Sequence, residues 1–274
     1  LGVGFASVLA PAYIAEVSPA DQRGRLGSLQ QLAIVVGIFL ALLFDYAIVQ
    51  VTPDRNPVSM VGPLAAWRWM LMSEVLPAGL YGVLVLGIPE SPRYLVQKGL
   101  PERARAVIEK TLHEPAQQVI ERIQHSLENT DHGKITDLLD QRSLLIPVVW
   151  TGVMLAIFQQ FVGINVIFYY SSVLWQAVGF STTDSLMVTV ITSVTNVVTT
   201  FVAIAFIDRI GRKPLLLAGS VVMTLTLGAM SWTFAGATVV NGSPQLVGVA
   251  SVVALLAANL FVFAFGFSWG PVMW

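Results

Sequence analysis

The sequence predicts an all-α polytopic membrane protein, and three observations support that fold class. Hydrophobic residues make up 55% of the 274 residues. Only 11% of the residues are charged, against about a quarter in a soluble domain. No charged residue lies between Arg142 and Asp184 or between Lys213 and Trp274. Since a bilayer core needs about 20 apolar residues per helix, the second of these stretches is long enough for two spans.

Charge-poor runs predict seven membrane-spanning helices. In chain order they are Leu1–Ala15, Leu26–Val49, Trp69–Ile88, Leu144–Gln176, Ser185–Ile207, Leu215–Ala235 and Leu246–Trp274. The chain does not begin with methionine, and both of its ends are apolar without a signal-peptide pattern. We therefore expect a fragment that is cut through a membrane helix at each end.

The distribution of lysine and arginine predicts the orientation of these helices. Thirteen of the fifteen basic residues follow the first span, lie in the polar segment after the third span, or follow the fifth span. Only Arg55 and Arg68 lie on the other side. Because cytoplasmic loops are enriched in basic residues, we place the first group of loops in the cytoplasm.

The polar segment from Tyr94 to Gln141 is predicted to form short amphipathic helices. Pro101 and Pro115 stand where the first turn of a helix tolerates proline. Apolar residues then recur near helical spacing, at Val107, Ile108, Leu112, Val119, Ile120, Ile123 and Leu127. Two interpretations are open: a cytoplasmic helical cap over the loops, or a separate ligand-binding or regulatory module.

Composition argues against several other classes of protein. The absence of cysteine excludes disulfides, thiol catalysis and cysteine-based metal sites. All three histidines lie in the polar segment, where we interpret them as solvated surface and not as metal ligands. A net charge of −1 without a basic tail gives no sign of nucleic-acid binding. We expect no cofactor, and a monomer in a lipid bilayer.

The densest group of polar residues inside a predicted span is Gln159-Gln160-Phe161-Val162-Gly163-Ile164-Asn165. On a straight helix Gln159, Gln160 and Asn165 would point in three well-separated directions. They can converge only if the helix loosens, and Gly163 is placed to permit this. Broken helices in the middle of the membrane mark substrate sites in transporters.

Amide side chains suit a sugar ligand, because each carries a carbonyl acceptor and two N–H donors for hydroxyl groups that both donate and accept. Aromatic faces such as those of Tyr169 and Trp274 can pack on the C–H faces of a sugar ring. The alternative is that the amides hold neighbouring helices together by hydrogen bonds. The clustering of the amides favours the first interpretation.

Five short motifs lie in order along the whole chain. They are Pro11-x-Tyr13-x-x-Glu16-x-x-Pro19-x-x-x-Arg23-Gly24, Pro89-Glu90-Ser91-Pro92-Arg93, Gln159-Gln160-Phe161-Val162-Gly163-Ile164-Asn165-x-x-x-Tyr169-Tyr170, Asp208-Arg209-Ile210-Gly211-Arg212-Lys213 and Gly270-Pro271-x-x-Trp274. Together they resemble the sugar porter family of the major facilitator superfamily, most closely its bacterial sugar–proton symporters of the xylose and glucose-permease type. The resemblance implies seven of the twelve helices of the major facilitator fold. Helices 4–6 would occupy residues 1–93, a cytoplasmic helical linker residues 94–141, and helices 7–10 residues 142–274.

The resemblance also implies which residues bind the sugar: Gln31, Gln159, Gln160, Asn165, Tyr169, Asn196 and Trp274. Gln31 stands out without the resemblance too, because it opens an otherwise apolar span. Tyr170 matches a gating aromatic residue of the family. Ile38 and Phe168 lie beside the proposed contacts and resemble glucose-carrying members more than xylose-carrying ones. We therefore expect a hexose, with glucose ahead of xylose.

Seven charged residues lie at predicted cytoplasmic helix ends: Glu16, Arg23, Glu90, Arg93, Asp208, Arg209 and Arg212. The resemblance implies that they form a network that closes the inner side and favours an outward-facing state. The alternative is ordinary charge that sets topology. Since an exposed ion pair is worth under about 1 kcal/mol, a switch needs the whole set to act together.

Glu74 is interpreted as the one acid well inside a span, roughly 10 Å along the helix from Trp67 at 1.5 Å per residue. Intramembrane acids are candidates for function, and Ser73-Glu74-x-x-Pro77 resembles proton-coupled members of the family. The alternatives are an acid held by an arginine, or one that faces a wet cavity without titrating.

The predicted function is secondary active transport of a monosaccharide across the cytoplasmic membrane by alternating access, with a proton as co-substrate. An uncoupled facilitator and a transporter-like sugar sensor are the alternatives. An enzyme is not expected, because hydrolysis or group transfer needs paired acids, a metal cluster or an activated nucleophile.

Overall fold

The computed structural model describes residues 2–19, 22–112, 114–128, 146–240 and 243–272. Within these ranges the chain is mostly helical, which confirms the predicted all-α class. The described residues divide into two compact units. One lies within residues 1–30 and 84–158, and the other within residues 31–83 and 159–273.

The helices, with two short hairpins between them, follow the chain in a simple order. They are α1 (Gly2–Val17), α2 (Arg23–Val51), α3 (Ala66–Ser73), α4 (Val75–Leu86), α5 (Pro92–Gln97), α6 (Pro101–Thr111), α7 (Ala116–Glu128), α8 (Pro147–Phe161), α9 (Ile164–Tyr169), α10 (Ser171–Ala177), α11 (Thr182–Ile210), α12 (Arg212–Ala235), α13 (Val249–Phe267) and α14 (Trp269–Val272). Strands β1 (Met60–Val61) and β2 (Leu64–Ala65) pair antiparallel, as do β3 (Thr238–Val240) and β4 (Ser243–Gln245). The sequence did not predict these hairpins, because strands of two or three residues leave no periodic pattern.

Among the described residues, six helical stretches are long and apolar enough to cross a membrane. They are Arg25–Val51, Ala66–Leu86, Pro147–Tyr169, Thr182–Ile207, Arg212–Ala235 and Val249–Val272. A shorter apolar stretch, Gly4–Val17, corresponds to the first predicted span. The positions of the predicted spans are thus confirmed to within three residues, except that the fourth ends at Tyr169 and not at Gln176. The first of the seven is shorter than the others.

Three of the predicted spans are interrupted. Gly163 separates α8 from α9 with φ 91°, as its position in the sequence indicated. Glu74 is a single turn residue between α3 and α4, and Ser268 leaves helical geometry between α13 and α14 with φ −122° and ψ −84°. Each of these last two stretches still forms one span, Ala66–Leu86 and Val249–Val272, as the sequence predicted. Neither position carries glycine, so composition gave no sign of a break.

The first unit contains the amphipathic helices predicted between residues 94 and 141, as far as residue 128. Helices α5, α6 and α7 enclose an apolar cluster in which Ala104 and Ile108 are fully buried. Pro101 occupies the first turn of α6, and Pro115 directly precedes α7. The predicted periodicity of apolar residues is therefore confirmed over this stretch.

The core of the second unit lies around α13. Phe261 and Val262 of α13 are completely buried and pack in one cluster with α9, α10 and α12. The buried face of α11 is largely polar. There the hydroxyls of Thr189 and Thr200 donate to carbonyls one turn earlier, each at 2.8 Å. Hydroxyls satisfied within their own helix can be buried without a partner on a neighbouring helix.

Candidate functional site

The break at Gly163 brings two of the predicted amides together. Gln160 lies in the last turn of α8 and Asn165 in the first turn of α9. Across the break, Asn165 Nδ2 donates a hydrogen bond to Gln160 Oε1 at 3.3 Å. Gly163 has the left-handed backbone that glycine adopts without strain. The predicted convergence of these side chains is confirmed for Gln160 and Asn165, and both are exposed.

Gln31 of α2 lies against α14, although the two are far apart in sequence. A Cβ built on Gly270 would stand 3.0 Å from Gln31 Nε2 and 3.3 Å from its Cδ. Gln31 is only 5% exposed. The close approach depends on the missing side chain of Gly270, which explains why glycine suits this position of the Gly-Pro motif.

Asn196 of α11 is buried against α13. It is 3% exposed, and its Oδ1 has no hydrogen-bond partner among the described residues. A Cβ built on Gly266 would lie 2.8 Å from that oxygen. An unpaired buried acceptor costs about 1–3 kcal/mol. The Asn196 amide oxygen is therefore a candidate acceptor for a ligand hydroxyl.

The remaining predicted contacts differ in exposure. Tyr169 is 79% exposed and Tyr170 is exposed as well, whereas Gln159 and Ile38 are half-buried. Phe168 packs against the core cluster of the second unit. Trp274 lies outside the described residues. The structure thus places Gln31 and Asn196 against the same α13–α14 segment, and joins Gln160 to Asn165.

Among the described residues a second acid, Asp45, lies inside a span, whereas the sequence interpretation named only Glu74. Glu74 is exposed at the turn between α3 and α4. Asp45 is half-buried in α2, inside a stretch of mean hydropathy 2.6, and its carboxyl group interacts electrostatically with Glu74. The description of Glu74 as the one acid inside a span was therefore wrong. An acid within the predicted span Leu26–Val49 was the signal that could have found Asp45.

The predicted charge network is only partly described, since the side chains of Arg23 and Asp208 are not. Glu16 accepts a hydrogen bond from the Ser91 hydroxyl, and Tyr13 Oη donates to the Pro89 carbonyl at 2.9 Å. These contacts tie the end of α1 to the turn before α5. Among the described side chains, ion pairs join Arg105 to Glu102 and Arg122 to Glu114, and none joins two members of the network.

A cavity of about 480 Å³ lies in the first unit beside these contacts. Its lining includes Glu16, Arg93, Glu114 and Arg122. Arg122 and Glu114 are paired at 3.0 Å, so each partly neutralises the other. Glu90, Arg209 and Arg212 are exposed. The network as a whole stays a prediction.

Comparisons with known proteins agree along the whole chain. Residues 1–274 match the family described as "Sugar (and other) transporter". The chain is 57% identical over 274 residues to the glucose transport protein of Synechocystis sp., covering 100% of this chain and 58% of that protein. It is 39% identical over 277 residues to the D-xylose-proton symporter of Escherichia coli (strain K12), covering 100% of this chain and 52% of that protein.

A solved structure gives the same result for the fold. The MFS proton:xylose symporter XylE bound to 6-bromo-6-deoxy-D-glucose matches with a TM-score of 0.82 and 37% sequence identity. The match covers 100% of this chain and 54% of that one. The chain therefore spans about half the length of the curated relatives it matches, and within that half its fold agrees with theirs.

Proposed function

The chain belongs to the sugar porter family of the major facilitator superfamily, and from that premise we propose that the protein transports a monosaccharide across the cytoplasmic membrane by alternating access. Members of this family are transporters and not enzymes, which agrees with the expectation from the sequence. The observation that carries the proposal is the pairing of Gln160 with Asn165 across the break at Gly163.

The site binds sugar through amide groups. The side chains of Gln160 and Asn165 are hydrogen-bonded to each other at 3.3 Å. Because this hydrogen bond is long, a sugar hydroxyl can replace it at little cost in free energy. Asn196 contributes a buried carbonyl oxygen without a partner among the described residues. Gln31, held against Gly270, adds a further amide from the other half of the transporter. Substrate bound near the midplane lets the two halves rock around it.

The substrate is a hexose, with D-glucose ahead of D-xylose. The relative at 57% identity is named a glucose transport protein, whereas the one at 39% is named a xylose-proton symporter. Ile38 and Phe168, beside the amides, support the same order, because apolar side chains there favour a hexose as in glucose-carrying members. Trp274 and Tyr169 supply aromatic faces for the ring.

Transport is coupled to proton symport through Glu74. A carboxylate within a membrane span is a candidate for a proton relay, and the E. coli relative is named a proton symporter. The protein works as a monomer without a cofactor. Its segment 94–141 lies in the cytoplasm, as thirteen of fifteen basic residues on one side support.

Reconstitution of the full-length protein into proteoliposomes tests this function. We expect uptake of labelled D-glucose, competition by unlabelled D-glucose at lower concentration than by D-xylose, and alkalinisation outside when sugar enters. Counterflow without any proton movement would mean an uncoupled facilitator. Binding of D-glucose without flux would mean a sugar sensor, and no binding of either sugar would overturn the proposal.

A further inference from the structure

The break between α13 and α14 is stabilised from within its own chain segment. Ser268 is completely buried, and its hydroxyl donates to the Ala264 carbonyl at 2.6 Å. That bond satisfies a carbonyl oxygen which the end of α13 leaves without a helical partner. Directly after the break come Trp269 and Gly270, and Gly270 packs against Gln31. The orientation of α14 therefore contributes to how Gln31 is held.

Helix α12 also stabilises this break, through contacts with the residues on either side of it. The Trp269 indole Nε1–H donates to Ser220 Oγ at 2.9 Å, and the Ser220 hydroxyl donates to the Leu216 carbonyl at 2.7 Å. The Ser220 oxygen is thus both acceptor and donor. One residue earlier, a Cβ on Gly219 would overlap the Ser268 hydroxyl and lie 3.2 Å from the Ala264 carbonyl oxygen. The close approach of α12 at Gly219 brings Ser220 within reach of the indole.

We infer that Ser220 is a positioning residue for the sugar site, because its hydroxyl anchors the Trp269 indole and so fixes the orientation of α14 that sets Gly270 against Gln31. Ser220 acts through Trp269 and does not touch the sugar. This role rests on the proposed function, because α14 forms one wall of the proposed sugar site.

A hydrogen bond suits this role better than apolar packing. Packing resists separation of α12 and α14 but leaves rotation of a four-residue helix weakly restrained. A bond from a fixed indole to a fixed hydroxyl is directional, with the donor preferring angles above about 150°. The bond also lies partly buried, where water competes for it less than at the surface.

Two substitutions remove the hydrogen bond between Trp269 and Ser220, one by changing each partner. Ser220→Ala removes the acceptor, and Trp269→Phe removes the donor while keeping an aromatic ring. Because one hydrogen bond contributes modestly, each should weaken D-glucose binding about two- to tenfold. The double variant should bind no worse than either single variant, since both changes break one interaction. Ser220→Thr keeps the hydroxyl and should bind within about twofold of the unmodified protein.

Two matched controls separate positioning from general damage. Thr224 lies one turn along α12, and its exposed hydroxyl donates to the Ser220 carbonyl at 2.8 Å. Thr224→Ala should leave binding unchanged. Trp232 of α12 is 84% exposed, and Trp232→Phe should do the same.

The experiment measures D-glucose affinity and backbone hydrogen exchange of residues 265–272 in the full-length protein. Faster exchange there together with weaker binding in Ser220→Ala and Trp269→Phe, but not in the controls, supports the role. Unchanged exchange and unchanged affinity would overturn it, and so would additive losses in the double variant. If the unmodified protein binds no sugar, the proposed function is wrong, while unchanged exchange in the two variants would separately refute the anchor.

Discussion

Gln31 of α2 and Gly270 of α14 are in direct contact, so close that a Cβ on the glycine would stand 3.0 Å from the amide nitrogen. Few Cβ atoms in proteins come this near a neighbour. The contact joins an element of the proposed N-terminal half to one of the proposed C-terminal half. The short distance between the two residues explains why a glycine suits position 270.

Gly270→Ala is expected to displace the Gln31 amide by a few tenths of an ångström. Overpacking of this kind costs about 1–3 kcal/mol, so we expect D-glucose affinity to fall about tenfold. Titration calorimetry of the full-length variant measures the effect. Gly228→Ala on α12 is the control, because a Cβ there meets nothing within 4 Å. Equal affinities for the two variants would contradict the role given to the contact.

Gly163→Ala should destabilise the protein through its backbone alone. No atom lies within 4 Å of the added Cβ, but φ is 91°. A side chain in left-handed geometry costs about 1–2 kcal/mol. Thermal unfolding measures this cost as a lower Tm. Gly152→Ala, in the middle of α8 with equally open space, should be neutral or stabilise by up to about 1 kcal/mol. An equal decrease in Tm in both variants would show that left-handed backbone strain at residue 163 is not the cause.

Much of this architecture followed from the sequence. Charge-poor runs located the spans, because lipid excludes charge, and periodic apolar residues such as Val107 and Ile108 located the linker helices. The break at Gly163 was foreseen, since three amides on one helix cannot otherwise converge. These features depend on local sequence, which is why they could be predicted.

Other features depend on contacts between distant segments and left no local signal. The break at Ser268 is accommodated by α12, whose Gly219 makes room for the Ser268 hydroxyl. The burial of Asn196 depends on Gly266, some seventy residues away. Asp45 was overlooked for a different reason: it lies near the end of its span, where an acid resembles a boundary residue.

Neutralising Glu90 and Arg93, around the start of α5, should shift the conformational equilibrium towards the inward-facing state. Glu90→Gln with Arg93→Gln removes two members of the predicted network, and because exposed charges each contribute under about 1 kcal/mol, we expect a shift of up to about tenfold in the population ratio. This chain has no cysteine, so a single cysteine at Tyr169 can report labelling from each side of the membrane.

The Glu102–Arg105 pair on α6 supplies the control for that shift. It is an exposed ion pair at 3.9 Å away from the motif. Glu102→Gln with Arg105→Gln should leave labelling from both sides unchanged. An unchanged labelling ratio in the Glu90 and Arg93 variant as well would rule out a conformational role for those two charges.

Glu74→Gln should uncouple sugar from proton movement. The amide cannot release a proton, so sugar-driven alkalinisation should disappear while D-glucose counterflow persists. A pH electrode and labelled sugar measure the two in the same vesicles. Asp54→Asn is the control, because Asp54 is exposed in the loop beside β1 and bonded to Ser59. Proton-coupled transport by the Glu74→Gln variant would contradict the role of Glu74 and would make Asp45 the candidate proton-binding acid.

The most direct test concerns the amides on either side of Gly163. Equilibrium binding of D-glucose should be measured for the full-length protein and for Gln160→Ala, Asn165→Ala and their combination, with the exposed Gln124→Ala of α7 as control. We expect each site variant to lose about tenfold or more in affinity, and the combined loss to differ from the sum because the side chains are bonded to each other. Binding by both site variants as tight as that of the control would contradict a sugar site at this break.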